Sequence, residues 1–304
     1  MLESKIRALQ EILIARADRF LYDETLSPAV RSAFLKTPRH CFAPRFPDGR
    51  PGLWSEVDEA LLEAQLDTLY ADQPYCIYRD SRDQVVSTIS QPSLVLYMLH
   101  LLELAPNARV FELGGGSGWN AAMMGHIVGP GGQVTSVESI AALEANAQLA
   151  IARTGLSNVH WICGDANECI RDLEPFDRGV FTASSWSLPA LFFEKIKEGG
   201  VLLFVFEIDD TCDLLAVLRK RSEAFISELH FPCRFVPVTG TAGAPSGHSD
   251  EKGVNALRQE LSQKALDWAD LDLRIETSSS ASPQRGEHRF ERGDSTFIWT
   301  ERSD

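Results

Sequence analysis

Glu112, Gly114, Gly116 and Gly118 stand at alternate positions directly after the apolar pair Val110-Phe111, and a helix-compatible stretch begins near Asn120. An apolar run that ends in an acid, then a glycine cluster, then a helix start is the entrance of a nucleotide-binding α/β sheet. Glycine lets the backbone turn sharply and lets a ligand come close. A helix start offers N–H groups and a positive dipole end to an anionic ligand group. The spacing discriminates between ligands. A dinucleotide loop needs a glycine where Trp119 stands, and no Gly-Lys-Ser/Thr closes this loop as a P-loop requires. A second acid, Glu138, ends the run Gln133-Val134-Thr135-Ser136-Val137. It lies about 20 residues beyond the glycines, the βαβ spacing at which a carboxylate accepts both ribose hydroxyls.

The elements that must position these residues follow from periodicity. Leu2, Ile6, Leu9, Ile12 or Leu13, and Ala17 have helical spacing over 2–20. A second helix is expected over 27–35, with Ser27 as N-cap, Pro28 in its first turn and Pro38 beyond its end. Residues 48–67, with Pro51-Gly52 and an acidic stretch, read as an insertion or surface segment without chemistry. Ser90 suits a helix N-cap with Pro92 in the first turn, and Leu94 to Leu102 gives a buried helix. A helix over 140–153 with Gly155 as C-cap follows the second strand. Strands are expected near 158–163, 175–183 and 201–206, the last buried on both faces. A helix over 191–197 precedes that last strand, and 214–221 fits a strand or a short helix. Beyond 241, residues 242–250 read as a Gly/Pro/Ser linker. Leu257, Leu261, Ala265 and Trp268 form a helical stripe, Leu271, Leu273 and Ile275 alternate like a strand, and 277–284 is polar. Phe297-Ile298-Trp299 suits docking on the body, so the tail reads as a core-packing appendage or an element that grips a partner or substrate.

Composition bounds the function. A chain of 304 residues that is 44% hydrophobic can build one large α/β domain, or a domain with an appendage. A net charge of −14 argues against a broad nucleic-acid-binding surface. The N-terminus begins an amphipathic pattern rather than a leader, and no apolar run is long enough for a bilayer. The six cysteines are scattered without a C-x-x-C pair, so no metal site is expected and reduced thiols in the cytoplasm are the default.

The form Glu112-x-Gly114-x-Gly116-x-Gly118 resembles motif I of class I S-adenosylmethionine (SAM) methyltransferases. Further stretches resemble one family within that class, the protein-L-isoaspartate (D-aspartate) O-methyltransferases. Ala33-Phe34 to Pro44, with Pro38-Arg39-His40, is similar to that family's N-terminal segment. Tyr70-Ala71-Asp72-Gln73-Pro74 matches its "Y-x-D-x-P" segment better than the amino-methyltransferase D-P-P-Y. Thr88-Ile89-Ser90-x-Pro92, Asn158-Val159 to Gly164-Asp165, Pro175-Phe176-Asp177-Arg178 and Phe235-Val236-Pro237 with Gly240 follow in the family's order. The resemblance runs from about 28 to 240. Two departures stand out: the family's glycines and glutamine are missing from 76–87, where Arg79 and Arg82 have entered, and Glu207-Ile208 replaces Pro-Val-Gly.

The resemblance implies an α/β, Rossmann-like class I fold, with a mostly parallel central sheet, helices on both faces and a small C-terminal appendage. It divides the chain into an N-terminal helical and substrate-mouth region (1–108), a SAM-binding core (109–240) and an extension (241–304). SAM is the implied cofactor, with S-adenosyl-L-homocysteine as product, held by Glu112, Gly114, Gly115, Gly116, Ser117 and Gly118 at the methionine end. Glu138 with Ser139 would take the ribose, and Asp165 with Ala166 the adenine. Ser90 and Thr88 would orient the accepting carboxylate. The implied substrate is a protein or peptide bearing an isoaspartyl residue, methylated as a step of protein repair, with no nucleic acid or membrane partner. Three alternatives remain at this point: a different peptide or small-molecule acceptor, a non-catalytic SAM-binding module, and a nucleic-acid methyltransferase.

Overall fold

The computed structural model describes residues 1–47, 54–209, 211–238, 251–278 and 286–302. The expected linker at 242–250, Pro51-Gly52, Gly240 and most of the polar stretch 277–284 lie outside the described residues. The chain divides into two compact units, Met1–Gly164 and Asp165–Asp304.

The first unit opens with α1 (Leu2–Ala17), which gives way to a 3-10 turn at Asp18–Leu21, short of the expected end. In α2 (Pro28–Lys36) the Ser27 hydroxyl accepts from Val30 N at 3.3 Å, the N-cap expected from the sequence. The supposed insertion contains structure. β1 (Arg45–Pro47) pairs antiparallel with β2 (Trp54–Glu56), and α3 (Leu62–Leu69) follows. β3 (Tyr75–Arg79) and β4 (Val85–Ile89) form an antiparallel hairpin over the stretch that lacks the family's glycines. α4 (Pro92–Leu101) corrects the reading of Ser90 as its N-cap: Gln91 occupies that position and makes no side-chain cap bond. The capping oxygens come from Asp72, which accepts from Ser93 N at 3.0 Å and from Ser93 Oγ at 2.9 Å. A carboxylate brought in by the fold satisfies an orphan N–H as well as a local side chain does.

β5 (Arg109–Leu113), α5 (Trp119–Val128), β6 (Gln133–Glu138), α6 (Glu144–Arg153) and β7 (Val159–Cys163) complete the first unit. β5–β6 and β6–β7 are parallel pairs. Parallel neighbours need a crossover, and α5 and α6 supply it. Gly155, at φ +74°, turns the chain after α6.

The second unit holds α7 (Ala166–Cys169), β8 (Phe176–Phe181), α8 (Leu191–Lys195) and β9 (Ile196–Asp209). β10 (Cys212–Arg221), β11 (Ala224–Cys233), α9 (Glu251–Lys264), β12 (Leu271–Thr277), β13 (His288–Arg292) and β14 (Ser295–Glu301) follow. β8 and β9 are parallel; every later pair, β9–β10, β10–β11, β11–β12, β12–β14 and β14–β13, is antiparallel. The α/β architecture therefore carries a mixed sheet. The segment 214–221 is strand, because it is fully paired between β9 and β11.

The C-terminal residues extend this sheet rather than lying beside it. β12 pairs with the free edge of β11, which removes an exposed row of backbone donors and acceptors. Leu271, Leu273 and Ile275 point inward as their alternation predicted, and Phe297 and Trp299 are fully buried. Phe297 stacks on Phe206 of β9 at 4.3 Å. The helical stripe is shorter than expected: Leu257 and Leu261 are buried, but α9 stops at Lys264 and Trp268 sits in a 3-10 turn. No helix among the described residues is long and apolar enough to cross a membrane.

Candidate active site

The loop 114–118 is built by left-handed glycines. Gly114, Gly116 and Gly118 have φ of 91°, 47° and 79°, a region that disfavours any other residue. Gly115 is required for a different reason: a Cβ there would run into Ser136 Oγ and lie 2.8 Å from Trp161 Nε1. The loop is stapled to the end of β6. Gly114 N and Gly115 N donate to Val137 O at 2.9 and 3.1 Å, and Gly116 N donates to Glu138 Oε2 at 2.8 Å. Gly118 N donates to Gly115 O at 2.8 Å. These bonds fix the shape of the loop. The Ser117 hydroxyl accepts weakly from Trp119 N at 3.4 Å.

The two acids flank this loop differently. Glu112 is fully buried; one carboxylate oxygen accepts from Asn120 Nδ2 at 2.7 Å and the other from Ser136 Oγ at 2.6 Å. Burial pushes its carboxyl up to about 7, against the two hydrogen bonds. Glu112 therefore ties Asn120 of α5 to Ser136 of β6. Glu138 is also buried, and its Oε1 accepts from Ile140 N at 3.0 Å and from Ser139 Oγ at 3.4 Å. A carboxylate offers about four acceptor sites, and with Gly116 N on Oε2 three are taken, which leaves one for a hydroxyl donor. Ser139 orients Glu138.

The layer over the loop depends on residues that the sequence reading passed over. Trp119, standing where a dinucleotide loop has glycine, is buried; its Nε1 donates to Thr37 O at 3.0 Å and ties α5 to the end of α2. Arg39, of the Pro38-Arg39-His40 stretch that resembles the family's N-terminal segment, is fully buried. Its two terminal nitrogens donate to five carbonyl oxygens, of Leu69, Ala71, Gln73, Ile89 and Ser90. The guanidinium also lies 4.4 Å from the Tyr75 ring centre. Burial lowers its pKa to about 10, which leaves it charged at neutral pH. A Pro-Arg dipeptide gives no sign of such a hub; only its place in a family motif hinted at it. Asp72, in the segment that resembles the family's "Y-x-D-x-P", caps α4.

Thr88 and Ser90 lie at and just beyond the end of β4, both half-buried, and Arg39 holds the Ser90 carbonyl. A cavity of about 380 Å³ is lined by Ser117 of the loop and by Ile77 and Tyr78 of β3, the strand paired with β4. Arg79 turns away into its own hairpin, donating to Asp83 O at 2.7 Å, and Arg82 is exposed at the tip. Asp165 and Ala166 open the second unit. Asp165 caps α7, accepting from Asn167 N at 2.8 Å, and Ala166 is the first residue of that helix. Among the described residues no three His, Cys, Asp or Glu side chains are grouped as a metal site.

The geometry is that of a SAM-type loop with an acid at the next strand end, and comparison with known proteins agrees. The family model for protein-L-isoaspartate (D-aspartate) O-methyltransferase matches residues 53–243. The chain belongs to this family. A protein-L-isoaspartate O-methyltransferase of Pyrococcus horikoshii is 33% identical over 218 residues, covering 71% of this chain and 87% of that protein. A second, from Archaeoglobus fulgidus, is 29% identical over 235 residues, covering 77% of this chain and 95% of that one. A solved protein-L-isoaspartate O-methyltransferase superposes with a TM-score of 0.64 at 21% identity, covering 96% of this chain and 88% of its own. A solved Plasmodium falciparum protein described as a putative member, in complex with S-adenosyl-L-homocysteine, superposes at 0.51 and 19% identity, covering 78% and 97%. At these identities the structures establish the shared fold.

Proposed function

We infer that this protein is a SAM-dependent carboxyl O-methyltransferase whose acceptor is the isoaspartyl carboxyl of damaged proteins or peptides. The observation that carries the reading is the family match from 53 to 243, which takes in the Thr88-Ile89-Ser90 segment, the glycine loop and Glu138 in one stretch. The loop fits the cofactor: left-handed glycines keep side chains out of its path, and a buried carboxylate stands at the adjoining strand end.

Bound SAM supplies a sulfonium methyl that is open to in-line attack. A carboxylate acceptor needs no general base, because a carboxyl with an ordinary pKa of about 4 is already ionised at neutral pH. The work left to the protein is to place the acceptor oxygen and to exclude water. Ser90 and Thr88 donate hydrogen bonds to the acceptor carboxylate, and Arg39 fixes the backbone that carries Ser90. Glu138, held by Gly116 N, Ile140 N and Ser139, accepts a ribose hydroxyl at its remaining acceptor site. Asp165, beside Ala166, accepts from the adenine amino group. Loop residues 114–118 hold the methionine end, and Glu112 keeps them in shape. The following backbone amide nitrogen then attacks the methyl ester and expels methanol to close a succinimide, which water can reopen to normal aspartate. Scattered free cysteines suit a reducing compartment such as the cytoplasm.

The test is transfer of labelled methyl from SAM to an isoaspartyl peptide and to its aspartyl twin. Labelling of the isoaspartyl peptide alone supports the repair reading. Labelling of neither, with SAM binding intact by calorimetry, moves the assignment to a different acceptor.

A further inference from the structure

We propose that the cavity beside the glycine loop seats the residue next to the isoaspartyl linkage, and that Arg45 selects an acidic side chain there; this rests on the function proposed above. The cavity of about 380 Å³ is lined by Ser117, Tyr78, Arg45 and Glu56 among others. Its volume suits a side chain with its water, not a folded partner. The β3–β4 register sets its distance from the acceptor. Thr88 faces Cys76 across the hairpin, Ser87 faces Tyr78, and Tyr78 lines the cavity. Thr88 and Ser90 do not line it. An extended peptide advances about 3.3–3.6 Å per residue, so a substrate with its acceptor at Ser90 brings a neighbouring residue over this space.

Arg45 is suited to reading that neighbour. It lies at the start of β1, half-buried, with its guanidinium 4.6 Å from the ring centre of Trp54 on β2. Stacking on an indole fixes the plane of the fork while leaving its N–H edge to meet a planar oxyanion. A carboxylate fits that fork by two parallel hydrogen bonds. Glu56, the register partner of Arg45 across β1–β2, lines the same cavity. Its charge penalises any anion that is not seated on Arg45, which narrows the preference to one placement. The region that read as an inert insertion thus becomes part of the substrate mouth.

The experiment uses the full chain and isoaspartyl peptides that differ only in Glu or Gln, first at the preceding and then at the following residue. Methyl transfer is measured for wild type, Arg45→Ala, Arg45→Lys and Glu56→Gln. Binding of the same peptides to enzyme saturated with S-adenosyl-L-homocysteine is measured by calorimetry. At one flank the wild type should favour Glu over Gln by about tenfold, expressed in KM, the size of one charge-assisted pair. Arg45→Ala should erase that ratio and Arg45→Lys restore part of it. Glu56→Gln should raise the preference for Glu severalfold, a gain that no folding defect produces. Equal treatment of Glu and Gln at both flanks by the wild type, or an unchanged ratio in Arg45→Ala, overturns the proposal. No transfer to any peptide, with Glu-dependent binding retained, overturns only the acceptor assignment. No transfer and no Glu-dependent binding overturns both.

Discussion

Arg39 Nη2 donates to the carbonyl oxygen of Ser90 at 2.9 Å. The same guanidinium holds the carbonyls of 69–73, so one buried cation joins the mouth of the site to the segment after α3. Replacing it with alanine leaves five carbonyls without this donor in a buried setting. Arg39→Ala should lose about 3 kcal/mol or more of stability in denaturant titration. Arg39→Lys keeps the charge without the fork, so it should recover part of that stability yet lower kcat/KM for an isoaspartyl peptide with little change in SAM affinity.

Glu112 makes stability depend on pH. Burial raises its carboxyl from the usual 4.5 to about 7 in the folded protein. The folded state therefore keeps a proton that the unfolded chain releases. This contribution is full below about pH 4.5 and is lost as pH rises through about 7. Glu112→Gln removes the titration while a Gln amide can still bond Asn120 and Ser136. Its stability relative to wild type should rise by up to about 3 kcal/mol between pH 4 and 8, measured by denaturant midpoints at each pH. A difference that stays flat with pH would contradict the assignment.

Gly115 sits against Ser136 and Trp161, and Ser136 in turn donates to Glu112 at 2.6 Å. Gly115→Ala drives a methyl group into that contact and should cost about 1–3 kcal/mol. Because the loop must shift to relieve it, SAM affinity by calorimetry should fall at least about tenfold, which is about 1.4 kcal/mol of binding.

Ser90 and Asp165 should separate in binding and turnover. On the proposed role of Asp165 as the adenine acceptor, Asp165→Ala should raise the SAM Kd about tenfold or more. Ser90→Ala should leave that Kd within about twofold and lower kcat/KM for the isoaspartyl peptide about tenfold. Equal loss of SAM affinity in the two variants would contradict this division of roles.

Trp299 tests whether the C-terminal residues belong to the core. It is fully buried, packs edge-on against His230 at 5.4 Å, and lies opposite Leu273 in the ladder. Trp299→Ala should cost about 3–5 kcal/mol in thermal or denaturant unfolding. An appendage that merely rests on the surface would show a far smaller loss.

By itself the sequence determined the local features. Glycines at alternate positions, an acid at each strand end and Ser27 before Pro28 dictate turns, strand ends and a cap, because their physics acts over a few residues. The family's ordered motifs also sufficed for the fold and the cofactor. Tertiary structure decided the rest, because those roles depend on partners far away in the chain. It gave Glu112 its partners Asn120 and Ser136 and made Asp72 the cap of α4. It made Arg39 a hub for carbonyls lying 30 to 51 residues away. It joined the tail to β11 and placed Arg45 and Glu56 on the cavity. A buried polar group takes its role from the neighbours that satisfy it, and only the folded chain supplies those neighbours.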